Sequence, residues 1–122
     1  KSKDYQLHVV SNGFHEVTNR KVEKSGLKKY FETITSAEDA HAMKPDERIF
    51  EYSLNVANAK KSESIFIGDD WIADVKGAQN FGMEVIFFDA LRENKTEESL
   101  KIIQNLFQII PINISNYFLK LV

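Results

Sequence analysis

Cysteine is missing from this 122-residue chain altogether. Neither a disulfide framework nor a thiolate metal site can therefore be built, which is compatible with a cytoplasmic setting. No charge of one sign dominates either: 16 basic and 18 acidic side chains leave a net charge of −2, so there is no cationic field to gather nucleic acid. Long apolar runs are absent too. The stretch richest in isoleucine and phenylalanine, residues 102–122, is broken by Gln104, Asn105, Gln108, Pro111, Asn113, Ser115, Asn116 and Lys120, well short of the roughly 18 consecutive apolar residues of a membrane helix. Neither nucleic acid nor a membrane is expected as a partner. With two prolines and five glycines in the whole chain, each one present is informative punctuation.

What is there is an alternation of short apolar runs and amphipathic stretches. The most telling is Ser64-Ile65-Phe66-Ile67-Gly68-Asp69-Asp70-Trp71-Ile72-Ala73-Asp74. An apolar run stops at a glycine and two carboxylates, and a third carboxylate follows four residues after Asp70. The pattern predicts a buried strand that delivers acidic groups to a sheet edge, where open α/β sheets meet their ligands. Helix capping alone also accounts for an Asp at such a place.

Upstream, residues 5–10 read as a strand closing on Ser11-Asn12-Gly13. A hydroxyl, an amide and a glycine at a strand end make an oxyanion cradle, although the same three residues are common turn formers. The spacing predicts a helix over 15–25 with Val17 and Val22 inward and Gly26 as its stop. Its lysines alternate with Glu16 and Glu23, the mark of a solvated face. Residues 31–35 form a second strand.

Next comes Lys44-Pro45-Asp46-Glu47-Arg48-Ile49-Phe50. Proline suits the first helical position, and the acids after it suit the helix dipole. Ile49, Phe50, Leu54 and Ala57 fall on one face. Lys44 then stands at a stiff joint at a helix entrance; a plain surface lysine is the alternative. Beyond the acidic turn, Ile72, Val75, Ala78 and Phe81 recur at helical spacing up to Gly82, and residues 84–89 read as a strand buried on both faces. Phe14 and Trp71 border these loops, and ordinary packing is the expectation for both. Residues 101–104 read as a short edge strand and 106–110 as a helical turn or two. The fold class expected is a Rossmann-like three-layer α/β/α arrangement with a mostly parallel sheet. Residues 1–104 are assigned to it, and 105–122 to an apolar tail that packs on the domain body or on a partner chain, a second copy included.

Val9-Val10-Ser11-Asn12-Gly13, Lys44-Pro45-Asp46 with Ile49-Phe50, and Ile67-Gly68-Asp69-Asp70 with Asp74 and Gly77-Ala78 resemble the second, third and fourth motifs of the haloacid dehalogenase superfamily, in that order. The likeness runs over about residues 5–90 and is nearest to its capped phosphatases. It implies a Mg²⁺-dependent phosphatase of small phosphorylated metabolites, nucleoside monophosphates or phosphoglycolate-like compounds among them. In that family, residues matching Ser11 and Lys44 hold phosphoryl oxygens, with Asn12 and Gly13 in the same loop. The residue matching Asp69 binds the metal, and the one matching Asp74 supports the metal or the lysine. Asp70 is the weaker metal candidate, able equally to cap the following helix.

The family's first motif, an Asp-x-Asp pair carrying nucleophile and general acid, occurs nowhere in this chain. The resemblance thus implies a core incomplete on its N-terminal side, completed by an upstream segment of the same polypeptide bearing the nucleophile strand and a cap. That strand would lie between the one ending at Ser11 and the one ending at Asp69. Without it, those two strands are expected to lose their partner and the chain to fold poorly. Two alternatives are a metal-free carbon–halogen hydrolase and a non-catalytic remnant that binds phosphate or a protein. A response-regulator receiver fits less well, because Lys44 precedes the acidic cluster.

Overall fold

A computed structural model describes residues 5–87 and, for the backbone, 117–121. The elements are β1 (Tyr5–Ser11), α1 (His15–Ser25), β2 (Phe31–Ser36), α2 (Ala37–Ala40), α3 (Glu47–Ala57), β3 (Ser64–Gly68), a π-helical turn (Trp71–Lys76) running into α4 (Gly77–Phe81), β4 (Glu84–Phe87) and β5 (Tyr117–Leu121). The strands form one five-stranded sheet in the order β2-β1-β5-β3-β4. β1 pairs parallel with β2, and β3 parallel with β4. This is a Rossmann-like α/β fold with helices joining parallel strands.

Burial explains the strand sequences. Leu7, His8, Val9 and Val10 of β1 are all buried, as expected of a parallel strand covered on both faces. Among the described strands β4 is an outer one, and its Val85, Ile86 and Phe87 are half-buried rather than buried on both faces as its apolar run predicts. Residues 88 and 89 of that predicted strand, and the elements expected at 101–104 and 106–110, lie outside the described residues.

The core collects around α3. Ile49, Phe50, Leu54 and Ala57 are buried as one face, and Phe50 meets Phe66 edge-on at 5.1 Å and stacks on Phe81 at 5.8 Å. Pro45 is not the first helical residue. Asp46 caps the helix instead, its carboxylate accepting from Arg48 N–H at 2.9 Å; hydrogen bonds from the Arg48 side chain and N–H push its pKa down to about 2. A short-chain acid competes well for the cap position, and that moves the start by two residues.

Two inward assignments need correction. On α1 the buried residue is Thr18, whereas Val17 is 39% exposed. Ile72 is 61% exposed, because the π-helical turn widens the spacing on which a 3.6-residue count relies. Val75 and Ala78 do point inward, and Gly26 and Gly82 end their helices in the left-handed conformation.

The place between β1 and β3 is filled. β5 runs antiparallel to both, Tyr117 lying opposite Val9 and Ile67, and Leu119 opposite Leu7 and Ile65. The predicted pair of abandoned strands therefore does not exist in this structure. The last part of the segment assigned to the tail supplies the missing ladder.

Candidate active site

β1 and β3 end side by side with β5 between them, so the loops after Ser11 and Gly68 face one another along the same rim. The residue that joins them is Lys44. Its backbone is gripped by Asn12: Lys44 N–H donates to Asn12 Oδ1 at 2.7 Å, and Asn12 Nδ2 donates to the Lys44 carbonyl at 3.2 Å. Both polar atoms of that amide thus serve as a brace for the lysine. The Lys44–Pro45 peptide is cis.

From this anchor the side chain passes over the Phe66 ring, with its ammonium 5.5 Å from the centroid. The ammonium donates to the Val10 carbonyl at 3.2 Å and to Asp74 Oδ1 at 2.8 Å. The pair is enclosed, with side-chain exposures of 2% and 0%. Burial pushes the Lys44 pKa down, opposed chiefly by Asp74 and further by the charges of Asp69 and Asp70.

Asp74 is placed by two devices. Its other oxygen accepts from Asp70 N–H at 3.1 Å. It also occupies the space beside Gly68: a Cβ there would overlap the Cβ, Cγ and Oδ2 of Asp74. Only glycine at position 68 lets the carboxylate come this close to the strand end. Gly77 plays a similar part behind Lys44, since a Cβ would lie 3.0 Å from Pro45 and Phe50.

Asp70 caps the π-helical turn, its Oδ1 accepting from the N–H groups of Ile72 at 3.1 Å and Ala73 at 2.9 Å. Asp69 stands exposed next to it. Ser11 Oγ accepts from Gly13 N–H at 3.0 Å and from the Thr18 hydroxyl at 3.2 Å. The structure thus links Asn12, Lys44, Asp74 and Asp70 by direct contact, holds Ser11 and Gly13 in a separate small knot on the same rim, and leaves the Asp69 carboxylate open.

Thr18, the brace at Asn12 and the Val10 carbonyl carry no sequence signal of their own. Phe14 and Trp71 are not packed inside: they are 70% and 52% exposed, and Trp71 meets the Phe87 ring edge-on at 5.3 Å.

A divalent cation suits part of this donor set. Asp69 and Asp70 are hard oxygen ligands, whereas Asp74 is committed to Lys44. Among the described residues no group of three or more His, Asp or Glu gathers to hold a metal. Asp69 and Asp70 would supply only some of the oxygens that such a cation takes.

The model of the haloacid dehalogenase-like hydrolases matches residues 1–88, and the chain belongs to that family. It is 28% identical over 93 residues to the pyrimidine 5'-nucleotidase YjjG of Escherichia coli, covering 75% of this chain and 41% of that protein. It is 32% identical over 90 residues to the glyceraldehyde 3-phosphate phosphatase of Methanothermobacter thermautotrophicus, covering 74% and 40%. The chain thus spans about two fifths of the length of these relatives. Among solved structures, the hydrolase YfnB of Bacillus subtilis bound to magnesium superposes with a TM-score of 0.69 at 25% identity, over 88% of this chain and 50% of that one.

Proposed function

We propose that these residues form the phosphate- and metal-binding part of a phosphatase that acts on small phosphorylated metabolites. The observation that carries this reading is the position of the Lys44 ammonium, bonded at once to the end of β1 through Val10 and to the acid packed on the end of β3. A charge fixed across two strand ends, with the Ser11 hydroxyl on one side and the Asp69 carboxylate on the other, is a receptor for a tetrahedral dianion.

Phosphoryl transfer asks the protein for alignment and for neutralisation of the equatorial oxygens. Lys44 supplies one positive charge and Ser11 a hydroxyl donor, both preorganised by the contacts described. Asp69, helped by Asp70, would hold Mg²⁺, whose contribution is to neutralise phosphoryl charge from the other side. Asp74 keeps Lys44 aimed at the rim. The attacking carboxylate comes from a segment outside these residues, since the chain has no Asp-x-Asp pair. It would bond to phosphorus and expel the alcohol, and water would then release inorganic phosphate. The relatives named as phosphatases of nucleotides and of a triose phosphate support the reaction class, and the magnesium in the Bacillus hydrolase supports the metal.

A second reading is favoured by β5. With its own strand between β1 and β3, the chain can act as a phosphate-binding module without turnover.

The test is release of inorganic phosphate from p-nitrophenyl phosphate and from a panel of nucleoside monophosphates, with Mg²⁺ and with EDTA, using the longest polypeptide that carries these residues. Metal-dependent hydrolysis that falls on the order of 10²-fold in Lys44→Ala supports the phosphatase. Binding of phosphate without release supports the module. Hydrolysis indifferent to Lys44→Ala and to Asp69→Asn overturns both assignments.

A further inference from the structure

Phe14 breaks two local rules at once. It occupies the N-cap position of α1, with φ −81° and ψ 158°, yet its side chain makes no capping hydrogen bond. Ser, Thr, Asp and Asn are the residues that stabilise that position. Phe14 is also the most exposed of the large apolar residues described, at 70%. A choice that loses a cap and leaves a ring in water marks a functional place rather than a stabilising one.

The surrounding structure compensates for it. The His15 N–H that opens the helix is satisfied by Glu38 Oε1 at 2.8 Å, from α2, and His15 Nδ1 lies 2.8 Å from Asp39 Oδ1. Capping from a distant element frees position 14. The backbone at Phe14 is joined to the preceding loop: Thr18 N–H donates to the Phe14 carbonyl at 2.9 Å, and the Thr18 hydroxyl donates to Ser11 Oγ at 3.2 Å. Phe14 thus follows the Ser11–Gly13 loop directly in the chain, with Thr18 bonded to both.

At this place lies an open hollow of about 700 Å³, lined by Phe14, His15, Glu16, Val17, Glu38 and Asp39. The Phe14 ring offers a flat apolar contact with Val17 beside it, and three carboxylates repel a second negative charge on the guest.

We propose that this hollow seats the alcohol portion of the phosphate ester, with Phe14 as the stacking platform. The favoured substrates are monoesters of uncharged, planar, aromatic or heterocyclic alcohols, nucleoside monophosphates included. Esters carrying a carboxylate or a second phosphate are disfavoured by Glu16, Glu38 and Asp39. This rests on the phosphatase reading for where the phosphoryl group sits.

Isothermal titration of the chain with inorganic phosphate, phenyl phosphate and phosphoglycolate, at fixed Mg²⁺, tests it. Phenyl phosphate is expected to bind on the order of tenfold more tightly than phosphoglycolate, the scale of one stacking contact. Phe14→Ala removes that preference and leaves the affinity for inorganic phosphate unchanged. Phe14→Ser restores a good cap, so it removes the preference while raising the midpoint of thermal unfolding. Equal affinities for the two esters, a preference that survives both substitutions, or a lowered midpoint in Phe14→Ser each overturn the platform assignment. Failure of inorganic phosphate to bind removes the phosphate reading first, and this inference with it.

Discussion

The Lys44 ammonium and the Asp74 carboxylate lie 2.8 Å apart with almost no solvent at either. Each is tolerable there only because of the other. Asp74→Ala leaves an ammonium buried without that counter-charge and is expected to destabilise the fold by about 3–5 kcal/mol in urea unfolding. Lys44→Met combined with Asp74→Leu should recover most of that loss. A double variant no better than the single would show that the pair is not what holds these side chains in place.

The same pair gives a pH dependence. Burial lowers the Lys44 pKa below the 10.5 of the unfolded chain. Between the lowered value and 10.5, the unfolded state holds a proton that the folded state has released, so unfolding free energy rises with pH through that window. Below the lowered value the slope vanishes. Thermal unfolding followed from neutral pH upward should show this rise in the parent chain and lose it in Lys44→Met.

Gly68→Ala is expected to cost about 1–3 kcal/mol, the usual scale of overpacking, because the new methyl takes the space of Asp74. Its signature is specific. The Lys44 ammonium signal in an NMR spectrum should shift toward that of a solvated lysine as its partner is expelled.

Asp69→Asn removes the carboxylate proposed to hold the metal and leaves the Lys44–Asp74 hydrogen bond in place. Metal-dependent turnover in the polypeptide carrying these residues is expected to fall by several orders of magnitude, with the unfolding midpoint unchanged. Activity near that of the parent would put the cation elsewhere.

Leu119→Pro deletes a donor from a strand paired on both sides, with Leu7 and with Ile65. The unfolding midpoint should drop, and hydrogen exchange should quicken in β1 and β3 together. Unchanged exchange in those two strands would show that β5 is not needed between them.

Most of the sheet was legible because short apolar runs ending in Ser11 and Gly68 have little else to become, whereas α2 was not foreseen and α3 starts two residues later than its proline suggests. Ile49, Phe50, Leu54 and Ala57 announced their face by spacing alone. Ile72 misled because a π-helical turn follows a different period, and Val17 because α1 turns Thr18 inward instead. In the site, the acids and the lysine were readable as residue types at strand ends. The brace between Asn12 and Lys44 was not, since a contact across 32 positions leaves no local pattern. Nor was β5: whether a five-residue run joins a sheet depends on a vacancy elsewhere in the molecule.

Leu121 faces Tyr5 across the β1–β5 ladder, at the end of the sheet away from the loop after Ser11. A dye or affinity handle attached near either one would report from roughly 17 Å away, the length of a five-residue strand, and leave the rim untouched.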